Sequence, residues 1–200
     1  MSETRFIASI VEGHGDVQAV PILLRRIASA VKPEVDLKLN PPLRVKVSSF
    51  LNDRDTGYFS KYIELASRKA SAWEESCVLI VLDCEDECPA VLGPKILKRA
   101  AQTRPDMEFI VLLACREFES WFLAAADSLA GVCGLPSDLH APVNHGSIRD
   151  AKGWLSERMA VPYNEPEHQP KLASAFDMEL AKSSASFKRA IDKLVNFLRN

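Results

Sequence analysis

Long apolar runs are missing from this chain of 200 residues: none reaches the roughly 18–20 residues needed to cross a bilayer. The opening segment, MSETRFIASIVEG, lacks the basic start, separate apolar stretch and small-residue cleavage site of a secretory signal. A cytoplasmic protein without a membrane partner is therefore the expectation. An excess of positive charge is also missing. The net charge is −2, so no overall basic field advertises nucleic acid. That argues against a simple DNA-binding module but leaves open an enzyme that holds phosphates through metal ions. Paired C-x2-C motifs are absent. Cys77, Cys84, Cys88, Cys115 and Cys133 are odd in number and mostly sit in apolar surroundings, as reduced thiols do. The four histidines form no H-x-x-H pattern, and structural zinc is not expected. There is no G-x-x-x-x-G-K-[ST] loop, so any ATPase activity must come from another chain. No internal repeat or low-complexity segment interrupts the sequence.

What remains is ordinary globular material, 47% apolar and 26% charged, enough to bury a core. Residues 5–11 (RFIASIV) read as a strand, and 17–31 carry apolar residues at helical spacing. Pro33, Pro41 and Pro42 punctuate a loop. LRVKVSSF, 43–50, alternates like an edge strand, and 58–73 is helical. CVLIVLD, 77–83, and MEFIVLLAC, 107–115, are continuous apolar runs typical of strands covered on both faces. Helices are expected over 93–103 and 117–131, the latter stopping at Gly131. The alternation predicts an α/β fold with about four mostly parallel strands flanked by helices. After residue 131 a loop leads to a helix beginning near RDAKGWLSERM, and 169–199 reads as two helices. The division is a core over 1–131 and a helical C-terminal extension over 132–200 packed on it.

Acidic residues gather where the strands end. Glu12 and Asp16 follow the first (IVEGHGD), Asp83, Glu85, Asp86 and Glu87 follow the third (VLDCEDE), and Glu117 and Glu119 follow the fourth (ACREFES). Ligands of open α/β sheets bind beyond the carboxyl ends of the strands. If these three strands are neighbours, the carboxylates converge, and converged carboxylates repel unless a cation lies between them. Oxygen ligands with few histidines favour Mg²⁺ or Mn²⁺. In an extended chain Asp83 and Glu85 point to one side and can face one ion. The glycines around His14 let backbone and substrate approach closely. The plain alternative is a set of solvated turns and helix-start charges.

These residues resemble the TOPRIM domain, which carries a glutamate after its first strand and a D-x-D pair after a later one. The domain occurs in topoisomerases, DnaG-type primases and the overcoming-lysogenization-defect nucleases. The similarity is closer to a small prokaryotic TOPRIM-like family, domain of unknown function 4276, through VEGHGDVQAVPILLRRI, PPLRVKVSSFL, VLDCEDECPAVLGPKILKRA, REFESWFLAAADSLAG, RDAKGWL and SFKRAIDKL. The resemblance implies that Glu12 is a metal ligand or general acid–base, and that Asp83 and Glu85 are paired ligands. Here a glutamate stands where the usual pair has a second aspartate. It implies that Asp16 and Glu117 serve a second Mg²⁺ or Mn²⁺.

The implied activity is cleavage of a phosphodiester in nucleic acid, with DNA as the expected substrate. A separately encoded ATPase is the implied partner and phage defence the implied setting. Lys152 is the candidate to neutralise charge on the phosphate, Arg149 to grip a neighbouring phosphate, and Gly13, His14 and Gly15 to touch substrate. Trp73, Trp121 and Trp154 read as core rather than as stacking platforms. The competing classes are a non-catalytic interaction subunit, favoured by the glutamate at 85, and a phosphoacceptor domain, which the glutamate after the first strand fits poorly.

Overall fold

The computed structural model describes residues 3–54 and 56–199. Five parallel strands form one sheet: β1 (Thr4–Val11), β2 (Asp36–Leu39), β3 (Leu43–Arg44), β4 (Ser76–Asp83) and β5 (Glu108–Ala114). Their order is β2-β1-β4-β5, with β3 continuing the β2 side of β1. Helices α1 (Asp16–Val31), α2 (Val47–Phe50), α3 (Thr56–Ala70) and α4 (Pro89–Thr103) fall between the strands. After β5 come α5 (Ser120–Ala124), α6 (Ala151–Ser156), α7 (Glu165–Ala175), α8 (Met178–Ala181) and α9 (Ala185–Arg199).

The central strands are buried on both faces because successive residues serve opposite cores. Ile7 and Val11 of β1 join a cluster with Leu23, Leu24 and Ile27 of α1, whereas Phe6, Ala8 and Ile10 join Phe59 and Ile63 of α3 and Ile96 of α4. The split follows from chain direction. The chain leaves β1 toward β2 on one side, then returns past β1 to β4 and β5 on the other. Right-handed crossovers place the connecting helices on opposite faces when that direction reverses. One face of β4 and β5 is thus left without a crossover helix. The segment after β5 covers it: Leu194 and Leu198 of α9, Phe187 and the buried Trp121 pack there with Leu112. Trp121 Nε1 donates to Ser186 Oγ at 2.9 Å, which fixes the start of α9 against α5.

The sheet has five strands rather than about four, all parallel. The loop expected around Pro33 to Pro42 contains β2. The strand expected over 43–50 is a strand only at Leu43 and Arg44, then turns into α2. The reason is register. Leu43 and Arg44 pair with Ile10 and Val11, the last residues of β1, so an extension would find no partner strand. The helix expected over 117–131 is α5 followed by a tighter turn over Ala126–Leu129, closed by Gly131 at φ +75°. The tail holds α7, α8 and α9 rather than two helices. Trp73 is 39% exposed and stacks on Phe6 with ring centroids 5.2 Å apart, so it covers the core rather than belonging to it.

Two arginines tie the beginning of the chain to its end. Arg5, 2% exposed on β1, donates from Nη1 to the Phe197 carbonyl at 2.6 Å. Arg26 of α1 donates to the Ala173 and Phe176 carbonyls at 2.8 and 2.7 Å, closing the end of α7, with its guanidinium over the Phe176 ring. Hydrogen bonds from a charged donor contribute about 1.5–3 kcal/mol each when their loss strands the acceptors. Arg26→Ala is therefore expected to lower unfolding free energy by about 2–3 kcal/mol. Urea denaturation followed by circular dichroism checks this; a loss below about 0.5 kcal/mol would show that α7 is held by apolar packing alone.

Candidate functional site

The sheet reverses its winding between β1 and β4, and a cleft of about 280 Å³ opens at that point beyond the strand ends. The register keeps the ends flush: Val11 lies beside Val81, and Asp83 beside Ala114. Glu12 follows β1 directly, Asp83 is the last residue of β4, and Glu119 begins the turn into α5. The extension supplies the opposite wall, with Lys152 from α6 and Glu165 and Gln169 from α7. Seven carboxylates and three cationic side chains line the cleft.

The loop after β1 is set by hydrogen bonds from two directions. Asp16 Oδ2 accepts from the Gly13 N–H at 2.8 Å, and Asp16 Oδ1 accepts from Gln169 Nε2 at 2.7 Å. Gly15 explains why these elements approach so closely. A Cβ there would fall on Gln169 Oε1 and lie 2.7 Å from the Glu165 carbonyl oxygen. Its backbone is ordinary right-handed helix, so the glycine is needed for space and not for conformation.

Dehydration and crowding of like charge dominate the electrostatics. Burial first, then Asp16 and Glu85, raise the pKa of Glu12, although the Asp83 backbone N–H works against the shift. Burial pushes Asp83 well up, aided by Asp16, Glu119 and Glu12. Asp16 is raised by burial against its two donors. Glu119, 0% exposed, is pushed by burial to about 7 despite Lys152 and the Tyr163 hydroxyl, which donates to its Oε1 at 2.8 Å. Burial alone would lower the Lys152 pKa, yet the charges of Glu119, Glu165 and Asp83 raise it overall. Its ammonium lies 2.6 Å from Glu165 Oε1. Glu12 Oε2, Glu119 Oε2 and Gln169 Oε1 are buried without a hydrogen-bond partner. Such atoms are costly unless something binds them.

The residues singled out from sequence separate into groups. Glu12, Asp16, Asp83, Glu85, Glu117, Lys152, Gly13 and His14 line the cleft. Asp16 is bonded through both oxygens, which makes it a loop anchor. Glu117 Oε2 accepts from the Ala151 and Lys152 N–H groups at 2.7 and 3.2 Å and so holds the first turn of α6. Asp83 and Glu85 do not present one side of an extended chain. The strand stops at Asp83, and Glu85 takes a left-handed backbone (φ +45°) that leaves it exposed at the mouth. Gly15 lies behind the loop, against α7. Arg149 is outside the cleft, paired with Asp86.

Sequence reasoning placed Glu119 at a strand end but assigned it no role. Arg44, Arg116, Tyr163, Glu165 and Gln169 went unnoticed. Arg44 had a signal, since it sits where β3 meets Val11. The α7 residues had none, because only the tertiary packing of α7 on α1 brings them in.

A carboxylate-only donor set with orphaned oxygens suits a hard divalent cation better than a soft one. Among the described residues, no group of three or more His, Cys, Asp or Glu side chains already stands in a metal-holding arrangement. The donors fit such an ion in chemistry, and binding requires them to draw inward.

Glu119 makes the stability depend on pH in a definite direction. Its folded pKa of about 7 lies above the ordinary 4.5, so its contribution is intact below about 4.5 and is lost as pH rises through 7. In metal-free buffer, Glu119→Gln is expected to remove about 2 kcal/mol of the stability difference between about pH 5 and about pH 7.5. Urea denaturation at both pH values measures it; an unchanged difference would place the Glu119 titration elsewhere.

Comparison with curated proteins and with solved structures returned no match in either set. A family model described as Domain of unknown function (DUF4276) matches residues 11–195, from the end of β1 into α9 and so across both the sheet and the helical extension. The chain belongs to that domain-of-unknown-function family.

Proposed function

We propose that the cleft is the active site of a Mg²⁺- or Mn²⁺-dependent enzyme that cleaves phosphodiester bonds in nucleic acid, in the manner of a TOPRIM nuclease. The observation that carries the reading is the meeting of Glu12, Asp83 and Glu119 around Lys152 at the switch point of the sheet, with orphaned oxygens on Glu12 and Glu119. Glu12, Asp83 and Glu119 would hold the ion, with Glu85 at the mouth. Bound there, a divalent cation supplies Lewis-acid polarisation of a phosphoryl oxygen and acidifies water.

The chain's own groups account for the rest. Glu12 Oε2, buried without a hydrogen-bond partner, would take the proton from attacking water. Lys152 keeps its proton and offers positive charge where the phosphate becomes more negative. Arg44 and Arg116 at the cleft wall provide contacts for flanking phosphates, and His14 is exposed at the mouth to meet substrate. Arg149, outside the cleft and paired with Asp86, would have to leave that pair to grip a neighbouring phosphate. DNA is the proposed substrate. A separately encoded ATPase is the proposed partner, and defence against phage the proposed setting; both rest on family analogy.

Mn²⁺ titration calorimetry with plasmid nicking tests this reading. Wild type is expected to bind Mn²⁺ and to nick plasmid DNA only with metal present. Glu12→Gln and Asp83→Asn are expected to weaken Mn²⁺ binding by about tenfold or more and to abolish nicking. Lys152→Gln is expected to keep Mn²⁺ binding while nicking falls about 100-fold. Absence of binding at millimolar metal, or nicking that survives Glu12→Gln, would overturn the nuclease reading in favour of a non-catalytic interaction subunit.

A further inference from the structure

A second and larger cavity, about 710 Å³, runs along β5 on the side away from the cleft's carboxylates. Strand β5 is the edge of the sheet and pairs only with β4 among the described residues. Lys193 Nζ donates to the Val111 carbonyl at 2.7 Å, so that carbonyl faces the edge and holds the ammonium that an added strand must displace. Backbone groups alternate in direction along a strand. Phe109 and Leu113, two residues either side, therefore present their N–H and C=O groups the same way. The edge is apolar and forms the floor of a groove walled by α4 and α9, with Phe109 to Leu113 each at most 9% exposed. Such an edge is a template for another strand.

The two walls differ in chemistry. The α4 wall is apolar, with Pro89, Pro94 and the 41%-exposed Leu97. The α9 wall is cationic, with Arg189 and Lys193 and no acidic side chain. Among the described residues, the only carboxylate on the groove is Glu108, at the start of β5. Burial first, and then Arg189, lower the pKa of Lys193, so this ammonium is short of both water and a counter-charge.

We propose that β5 is a docking edge for an extended acidic segment of a partner protein, which adds a sixth strand to the sheet. Side chains of an added strand alternate between faces. Those on one face meet Pro94 and Leu97, and those on the other meet Arg189 and Lys193. The segment therefore alternates apolar residues with Asp or Glu. A second copy of this chain fits less well. Antiparallel pairing of two β5 edges with the faces continuous brings Arg189 and Lys193 of both copies onto one face, with no acid between them. Strand addition takes its affinity from main-chain hydrogen bonds and its specificity from the alternate side chains.

Fluorescently labelled peptides of roughly ten residues, one alternating Val and Glu and one alternating Val and Lys, test the proposal on the intact chain by anisotropy. The Val–Glu peptide is expected to bind at least about tenfold more tightly than the Val–Lys peptide, and the preference is expected to reverse in Arg189→Glu/Lys193→Glu. Two further Val–Glu peptides carry N-methyl groups, one on every Val amide and one on every Glu amide. One of the two is expected to lose binding and the other to keep it, since only one set of amides faces β5. Hydrogen exchange is expected to slow at Phe109, Val111 and Leu113 when the Val–Glu peptide binds. Equal binding of the two charge types, or indifference to both N-methylation patterns, overturns the proposal. Protection of the same three amides that grows with protein concentration in the absence of peptide overturns it in favour of a second copy.

Discussion

The handedness of strand crossovers governs most of this structure. Because the chain winds first one way and then the other from β1, its crossover helices fall on opposite faces, and one face of β4 and β5 is left open. An open face of that size cannot stay in water: β4 and β5 turn Leu79, Val81, Ile110 and Leu112 toward it. The material that closes it is the segment after β5. The helical extension is thus a consequence of winding order, and it shares one continuous core with α1.

The same closure builds the cleft. The reversal opens a crevice at the carboxyl ends of the strands, and helices α6 and α7 of the extension carry Lys152, Glu165 and Gln169 to its rim. Carboxylates come from the sheet, and the central ammonium comes from the extension. The contact between α1 and α7 sets their separation, and Gly15 permits that contact because any side chain would collide with Gln169. A single missing Cβ fixes the distance between the two halves of the site.

Strands β1, β4 and β5 were legible because their physics is local. CVLIVL and FIVLLA are apolar without interruption and FIASIV breaks only at Ser9, as a strand covered on both faces requires. β2 was not legible, since DLKL is a short edge strand with two charges and lies between prolines. The switch to α2 was hidden because it depends on where β1 runs out of partners. In the candidate site, carboxylates directly after strands could be found by position alone. Glu117 could be located but not interpreted, since its task of holding α6 involves a residue 34 places away. Gln169 reaches the cleft only through the packing of α7, and no spacing in the chain encodes that.

Arg5 and Arg26 also govern the order in which the molecule can be completed. Of the five strands β1 is made before the others, yet one acceptor of its buried Arg5 guanidinium is the carbonyl of Phe197, 192 residues later. Arg26 waits for Ala173 and Phe176 in the same way. Until those residues emerge, Arg5 has only the carboxylates of Glu3 and Glu75 beside it, and Arg26 lacks the α7 carbonyls. Burying a charge without partners is expensive. β1 therefore gains its full set of interior contacts only once α9 is in place against it.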